Sequence, residues 1–511
     1  MLARCESFGL CGIEGFPVTV EVDISNGNAF YDTVGLADIA IKESRERIRA
    51  AVKNSGYEFP YKRVVVNLAP ADVKKVGPVY DLPAALAILA AHRQLDYQRL
   101  AGFCIVGELS LDGSVRPVRG ILPILIAARE RGSRVFVIPA DNAREAQYIT
   151  GIRVYPVATL KAAVDFLAGR VPLAPVDTID LAAVLGAHEI DGDFSVVRGQ
   201  YAAKRALEIA AAGGHNVLMS GPPGSGKTML ARAFPSILPD LTVEEALEST
   251  KIHSVAGTLD PRTGVVTARP FRCPHHTAST AALVGGGASA KPGEISLAHN
   301  GVLFLDELPE YARTTLETLR QPLEDGVVTV SRIARTVEYP ASFVLVAGMN
   351  PCPCGNYGSS QKKCTCTPAM IQKYLARLSG PLMDRIDLQI EVDAVAFDEL
   401  TAPAAAESSA EIRARVNAAR RRQTERFTGT SVHCNARMSE RHIAAHCRLT
   451  PEGSALLKSA FERLGMSARG YNRILKVART VADLEGAPAI TPKHLTEAIQ
   501  FRTLSTKLLQ R

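Results

Sequence analysis

The sequence has no long hydrophobic run. Its most apolar stretches, "LPAALAILAA" (82–91) and "ILPILIAA" (121–128), reach half of the roughly 20 residues that a membrane-spanning helix needs. The opening "MLARCESFGLCGIEG" places acidic residues and glycines where a secretory signal would keep an unbroken apolar core. A soluble, cytoplasmic protein without a membrane partner is expected. Cysteine is sparse, ten in 511 residues with six of them scattered, which suits a reducing compartment rather than a disulfide framework. Tandem repeats and long low-complexity tracts are absent too, which excludes a solenoid or an extended polar tail.

What is present is enough apolar material, 47% of 511 residues, for large cores and two or three domains. The formal charge of +7 permits a nucleic-acid partner without demonstrating one. Residues 1–170 mix strands ("VTVEVDI", 18–24; "RVVVNLAP", 63–70; "RVFVIPA", 134–140) with helices such as 42–56. A Pro- and Ala-bearing connector leads through 171–190. Residues 191–395 alternate helix and strand in the manner of a parallel sheet, and 396–511 read as helical.

The chemistry begins at "NVLMSGPPGSGKTMLARAF" (216–234), a strand, a glycine loop and a helix. Gly221, Pro222, Pro223, Gly224, Ser225 and Gly226 form the loop, whose tight turns aim backbone N–H groups inward at phosphates. Lys227 then reaches the β- and γ-phosphates of ATP, and Thr228 offers a hydroxyl to Mg²⁺. The second half is "GVLFLDELPE" (301–310), an apolar strand ending in Asp306, suited to holding Mg²⁺, and Glu307, suited to polarising water. A third strand, "SFVLVAGMN" (342–350), ends in Asn350, placed to hydrogen-bond that water or the γ-phosphate. "DRID" carries Arg385 and "SARG" carries Arg469; each also has a bland reading, a surface ion-pair cluster and a solvated helix start.

Together these motifs resemble the AAA+ ATPases, and within them the magnesium-chelatase-like branch. The resemblance implies that Asn350 is the sensor-1 residue, that Arg385 is the arginine finger offered to a neighbouring subunit's ATP, and that Arg469 is the sensor-2 residue of a helical lid. It also implies a ring, a homo-hexamer, because the finger acts between subunits.

Two insertions follow from the spacing. Residues 249–301 separate the loop from the carboxylates, and "PHH" (274–276) within them suggests a hydrogen-bonding or structural role rather than metal, since adjacent histidines point to different sides. A hairpin at 326–341 carries Arg332 and Arg335 near its turn. Both insertions resemble those that line the pore in this family, where arginines suit a DNA backbone. Behind Asn350 stand Cys352-x-Cys354 and Cys364-x-Cys366. The two pairs fit the chelate logic of a Cys₄ structural Zn²⁺ site, with unmetallated thiols as the alternative. The helix at 411–427 has six arginines against two glutamates, which tilts toward an anionic partner.

The N-terminal segments 76–89 and 106–139 resemble the proteolytic domain of the Lon family, with Val79 where that family has its serine and Pro123 where it has its lysine. Neither supplies a nucleophile or a base, so an inactive domain is expected. The architecture is therefore α/β: a Lon-protease-like α+β domain, an AAA+ parallel-sheet core and a C-terminal helical lid. With "NPCPCG" (350–355) this order resembles the ComM/YifB competence-related proteins. That resemblance implies an ATP-driven motor on single-stranded or branched DNA, working on recombination intermediates beside recombination proteins. The rival readings are a magnesium-chelatase motor and a protein-remodelling ATPase. An integrin-type Asp-x-Ser-x-Ser motif is missing; the nearest approach, "DISNG" (23–27), lacks the last serine.

Overall fold

The computed structural model describes residues 1–186, 192–287, 290–332, 335–358, 362–394 and 407–502. The expected divisions at 190/191 and 395/396 lie outside them.

The N-terminal part is built on a seven-stranded mixed sheet, ordered Phe30–Val34, Arg63–Ala69, Glu14–Ser25, Leu2–Cys11, Phe103–Ile105, Val135–Pro139, Arg153–Val157. The strand at 14–25 buries Val18, Val20, Val22 and Ile24 and exposes or half-exposes the residues between them, the period-two pattern of a half-covered sheet. The helix Asp81–Ala91 is buried all along its length, and Val79 packs between two apolar clusters beside it. Pro123 is buried in the first turn of helix Ile121–Glu130, where its missing N–H costs nothing.

The central sheet has five strands, all parallel, in the order Phe271–Arg272, Val302–Leu305, Val344–Met349, Val217–Ser220, Leu388–Glu391. Both faces are covered, so these strands read as continuous apolar runs. Val217 and Met219 face one cluster and Leu218 the other. The first cluster also contains Ile412, Val416, Ile474, Leu475 and Val481, so the C-terminal helices, chiefly Ser409–Arg426 and Ala468–Leu484, share a core with the sheet. The described part of the expected connector, 171–186, is fastened to its surroundings: Val176 N–H donates to Val154 O and Ile179 N–H to Gln147 O, and Leu181 is buried beside Leu241 and Ala246.

Among the described residues the N-terminal part docks on the central part at several places, one of them Tyr148, whose hydroxyl donates to Thr263 O at 2.8 Å. Gly12, in the turn between its first two strands, lies against Val337, and Cys11 and Ile13 pack on the same cluster as Val337 and Tyr339. Helix Val243–Ala256 meets helix Ile121–Glu130, where Ser254 Oγ donates to Glu145 and Gly120 N–H to Ser254 O. No helix among the described residues is long and apolar enough to cross a membrane.

Candidate active site

Three neighbouring strands of the parallel sheet end side by side, and each delivers one part of the site from its carboxyl end, where such sheets form their crevice. Strand Val217–Ser220 runs into the glycine loop, in which Gly224 and Gly226 adopt φ of +78° and +91°, backbone that a side chain would strain. Helix Lys227–Ala233 starts directly after it. Strand Val302–Leu305 ends at Asp306 and strand Val344–Met349 at Asn350.

The loop lysine is folded back among these groups. Lys227 Nζ donates to Gly221 O at 2.7 Å, Pro222 O at 2.9 Å and Asn350 Oδ1 at 3.3 Å. Burial pulls its ammonium below the usual lysine value, while Asp306 and Glu307 pull it back up. Thr228 Oγ1 donates to Asp306 Oδ2 at 2.8 Å, so the two groups expected to share Mg²⁺ already converge. Glu307 stands at φ +52°, a left-handed conformation rare outside glycine and costing on the order of 1 kcal/mol. Its carboxylate is half-exposed and reaches His276 Nδ1 at 3.1 Å.

His276 was not among the residues the motifs selected. The hydrogen-bonding role expected of "PHH" is what is found, but the histidines do not point apart: their rings lie 4.1 Å apart, tilted by 33°. Tyr311 fixes the segment by donating to Pro274 O at 2.6 Å. The one signal available was proline followed by two imidazoles inside a long insertion, which carries no address.

Arg385 lies at the opposite end of the sheet from Lys227, and its guanidinium feels the charge of Arg469. Arg385 precedes strand Leu388–Glu391, and its carbonyl accepts from Asn216 Nδ2 at 3.0 Å, just before strand Val217–Ser220 begins. At 3.3 Å per residue the run from Asn216 to Gly221 spans roughly 15 Å, too far for Arg385 to serve its own chain's phosphates. The Arg385 side chain is only 7% exposed, paired with Glu324 and donating to Pro381 O at 2.8 Å, and its Nε is buried without a partner. Arg469 is exposed in the first turn of its helix. One turn on, Arg473 donates to Asp387 and to Arg385 O.

The four cysteines converge. Cys352, Cys354, Cys364 and Cys366 place their sulfurs within 4.8 Å of one another, with Cys352–Cys354 at 3.4 Å, Cys354–Cys364 at 3.6 Å and Cys352–Cys364 at 3.7 Å. Four sulfurs at 2.3 Å from one centre in a tetrahedron lie about 3.8 Å apart, so the set fits Zn²⁺. N–H groups of Asn356 and Thr365 push the Cys354 thiol down to about 5, while the neighbouring sulfurs push Cys364 and Cys366 up, so one thiolate in the set discourages the next.

The hairpin exists as expected, Val327–Arg332 against Arg335–Pro340, with Arg332 and Arg335 opposite each other at its end. Residues 333–334 and the side chains of both arginines lie outside the described residues. The basic helix is a correction. Arg413 lies 3.7 Å from Asp240, and Arg415 pairs with Glu208 and Glu407. Arg420 donates to the carbonyls of Ala211 and Ala212, Arg422 to Asp483 O, and Arg426 to the Asp483 carboxylate. Five of the six arginines fasten the lid to the core or to itself, so the helix offers no free basic face.

Known families match the chain in three pieces: "Magnesium chelatase, subunit ChlI" over 193–400, "Subunit ChlI of Mg-chelatase" over 20–142, and "Magnesium chelatase, subunit ChlI C-terminal" over 406–502. The "Uncharacterized protein YifB" of Escherichia coli (strain K12) is 44% identical over 98% of this chain and 96% of its own length. The "Competence protein ComM" of Haemophilus influenzae is 44% identical over 100% and 99%. The "Magnesium-chelatase 67 kDa subunit" of Chlorobaculum parvum is 30% identical over 31% of this chain and 23% of its own. With a phosphate-loop crevice on an all-parallel sheet and a match to YifB and ComM over nearly the whole of both chains, the chain belongs to the ComM/YifB family of magnesium-chelatase-like AAA+ proteins.

Proposed function

We propose that this protein is an ATP hydrolase working as a homo-hexameric DNA motor, in the cytoplasm, on recombination intermediates during natural transformation. The single observation that carries the reading is the split of the machinery. Lys227, Thr228, Asp306, Glu307 and Asn350 gather at the carboxyl end of the sheet, while Arg385 stands at the amino end within reach of the charge of Arg469. Arginines so placed are useful to a second protomer's nucleotide and useless to their own, which supports a closed ring.

In this reading ATP lies in the crevice, with its phosphates on residues 221–228 and Lys227 and its Mg²⁺ on Thr228 and Asp306. Glu307 polarises water, Asn350 orients it, and Arg385 and Arg469 act from the adjoining protomer. Zinc on Cys352, Cys354, Cys364 and Cys366 is structural. The near-full-length likeness to a protein named for competence supports DNA as the track, and Arg332 and Arg335 at the hairpin end suit phosphates. In this reading the chain divides into a Lon-like part (1–170), a connector (171–190), an ATPase core (191–395) and a lid (396–511).

Turnover measured with single-stranded DNA, branched DNA or an unfolded protein decides among the readings. Stimulation by DNA that falls steeply with salt, together with branch migration lost in Lys227→Ala, supports the motor. Indifference to DNA leaves a chelatase-like or protein-remodelling ATPase.

A further inference from the structure

Around Arg385 positive charge is in excess. Burial and then the charges of Arg469, Arg320 and Arg473 depress its guanidinium below the usual arginine value, with Glu317 pulling the other way. Nearby carboxylates are mostly engaged elsewhere: Glu317 pairs with Arg320 at 2.9 Å, and Asp387 with Arg473 and His215. Glu324 alone among the described residues forms an ion pair with Arg385. The two partners differ sharply, since Arg385 is 7% exposed and Glu324 is 54% exposed. A carboxylate half in water holds its partner weakly and can be exchanged for another anion.

Glu324 also sits where three parts meet. It belongs to helix Arg320–Asp325, which Gly326 ends, and Val327 then opens the hairpin toward Arg332 and Arg335. The carbonyls of Leu323 and Glu324 accept from Arg437 of the C-terminal helical region, whose guanidinium also reaches Ser342 Oγ at 3.4 Å. A displacement of the hairpin therefore pulls directly on the helix end that carries the counter-ion of Arg385.

We propose that Glu324 is a removable counter-ion. It occupies Arg385 in the resting protomer and yields it to the triphosphate of the adjoining protomer when the hairpin 327–340 is displaced by the polyanion it grips. This rests on the reading of Arg385 as acting across the subunit interface, and it adds the element that restrains that action. No covalent step is involved: one anion replaces another on a fixed guanidinium.

Glu324→Gln keeps the shape and removes the charge. Its DNA-independent kcat rises roughly fivefold, while KM for ATP is unchanged because the chain's own phosphate site is built at the far end of the sheet. Stimulation by a poly-dT oligonucleotide shrinks toward onefold. Glu324→Asp, which keeps the charge, restores the wild-type ratio, and Asp325→Asn, an exposed charge one residue away, behaves as wild type. An unchanged or lowered basal kcat in Glu324→Gln, or the same rise in Asp325→Asn, overturns the proposal. Arg385→Ala separates the two levels. If it turns over normally, the interface reading fails; if it is inactive while Glu324→Gln is silent, only the counter-ion proposal fails.

Discussion

Gly355, the residue after Cys354, lies directly against Pro223 of the phosphate loop: a Cβ built on Gly355 would come within 2.5 Å of Pro223 Cδ. The cysteine cluster therefore buttresses the loop that cradles phosphate. Gly355 also has φ +81°, so a side chain there is strained as well as crowded. Gly355→Ala is expected to raise KM for ATP roughly tenfold with a smaller change in kcat. An ATP titration of turnover checks it, and unchanged KM removes the buttress.

The sulfur geometry leads to a second expectation. Purified protein carries about one zinc per chain, and Cys352→Ser carries none, since Cys352 is the fully buried member of the set. Losing the metal frees Gly355 from its fixed place, so Cys352→Ser should copy the raised KM of Gly355→Ala. Metal analysis beside kinetics reads both, and a metal-free wild type ends the zinc reading.

At the hairpin end, Arg332→Ala and Arg335→Ala are each expected to weaken single-stranded DNA binding for every sequence alike. Each also lowers the slope of log affinity against log salt by roughly 0.7. Basal turnover stays at the wild-type level. A salt series of binding curves decides, and an unchanged slope in the double variant places the DNA elsewhere.

One stability effect is tied to pH. Burial pushes the Asp81 carboxyl up to about 6, against the lowering influence of Arg47, which donates to it at 2.9 Å. A carboxylate with a raised folded-state value binds protons better when folded, so it adds stability as pH falls below about 6 and loses it as pH rises through that point. From pH 7.5 to 5 the wild type should gain on the order of 1 kcal/mol relative to Asp81→Asn, read by urea unfolding at both pH values. A parallel pH response in the two proteins contradicts it.

How much of this was legible follows from distance along the chain. The phosphate loop, Asp306 with Glu307, and Asn350 each end an apolar strand, so local pattern located them, and the sheet order then placed them together. Three of the five parallel strands, Val217–Ser220, Val302–Leu305 and Val344–Met349, were readable for the same reason, whereas the two edge strands Phe271–Arg272 and Leu388–Glu391 were not picked out. The partners of charged residues were not. Glu324 meets Arg385 across 61 residues and Glu208 meets Arg415 across 207, so counting glutamates near the arginines of helix 409–426 could not reveal that the charges were already matched. His276 escaped because its significance lies only in its approach to Glu307, set by Tyr311 holding Pro274.

Mixing two inactive variants tests most directly whether each nucleotide pocket is completed by the neighbouring protomer. Lys227→Ala keeps Arg385 but cannot use ATP, while Arg385→Ala keeps its phosphate site but lacks the arginine; alone, each should lose turnover by on the order of 10³-fold or more. Mixed rings are predicted to recover ATP hydrolysis, at a level that rises and falls with the mixing ratio. Co-assembled rings that stay inactive at every ratio, or an Arg385→Ala protein that hydrolyses ATP at the wild-type rate on its own, would contradict it.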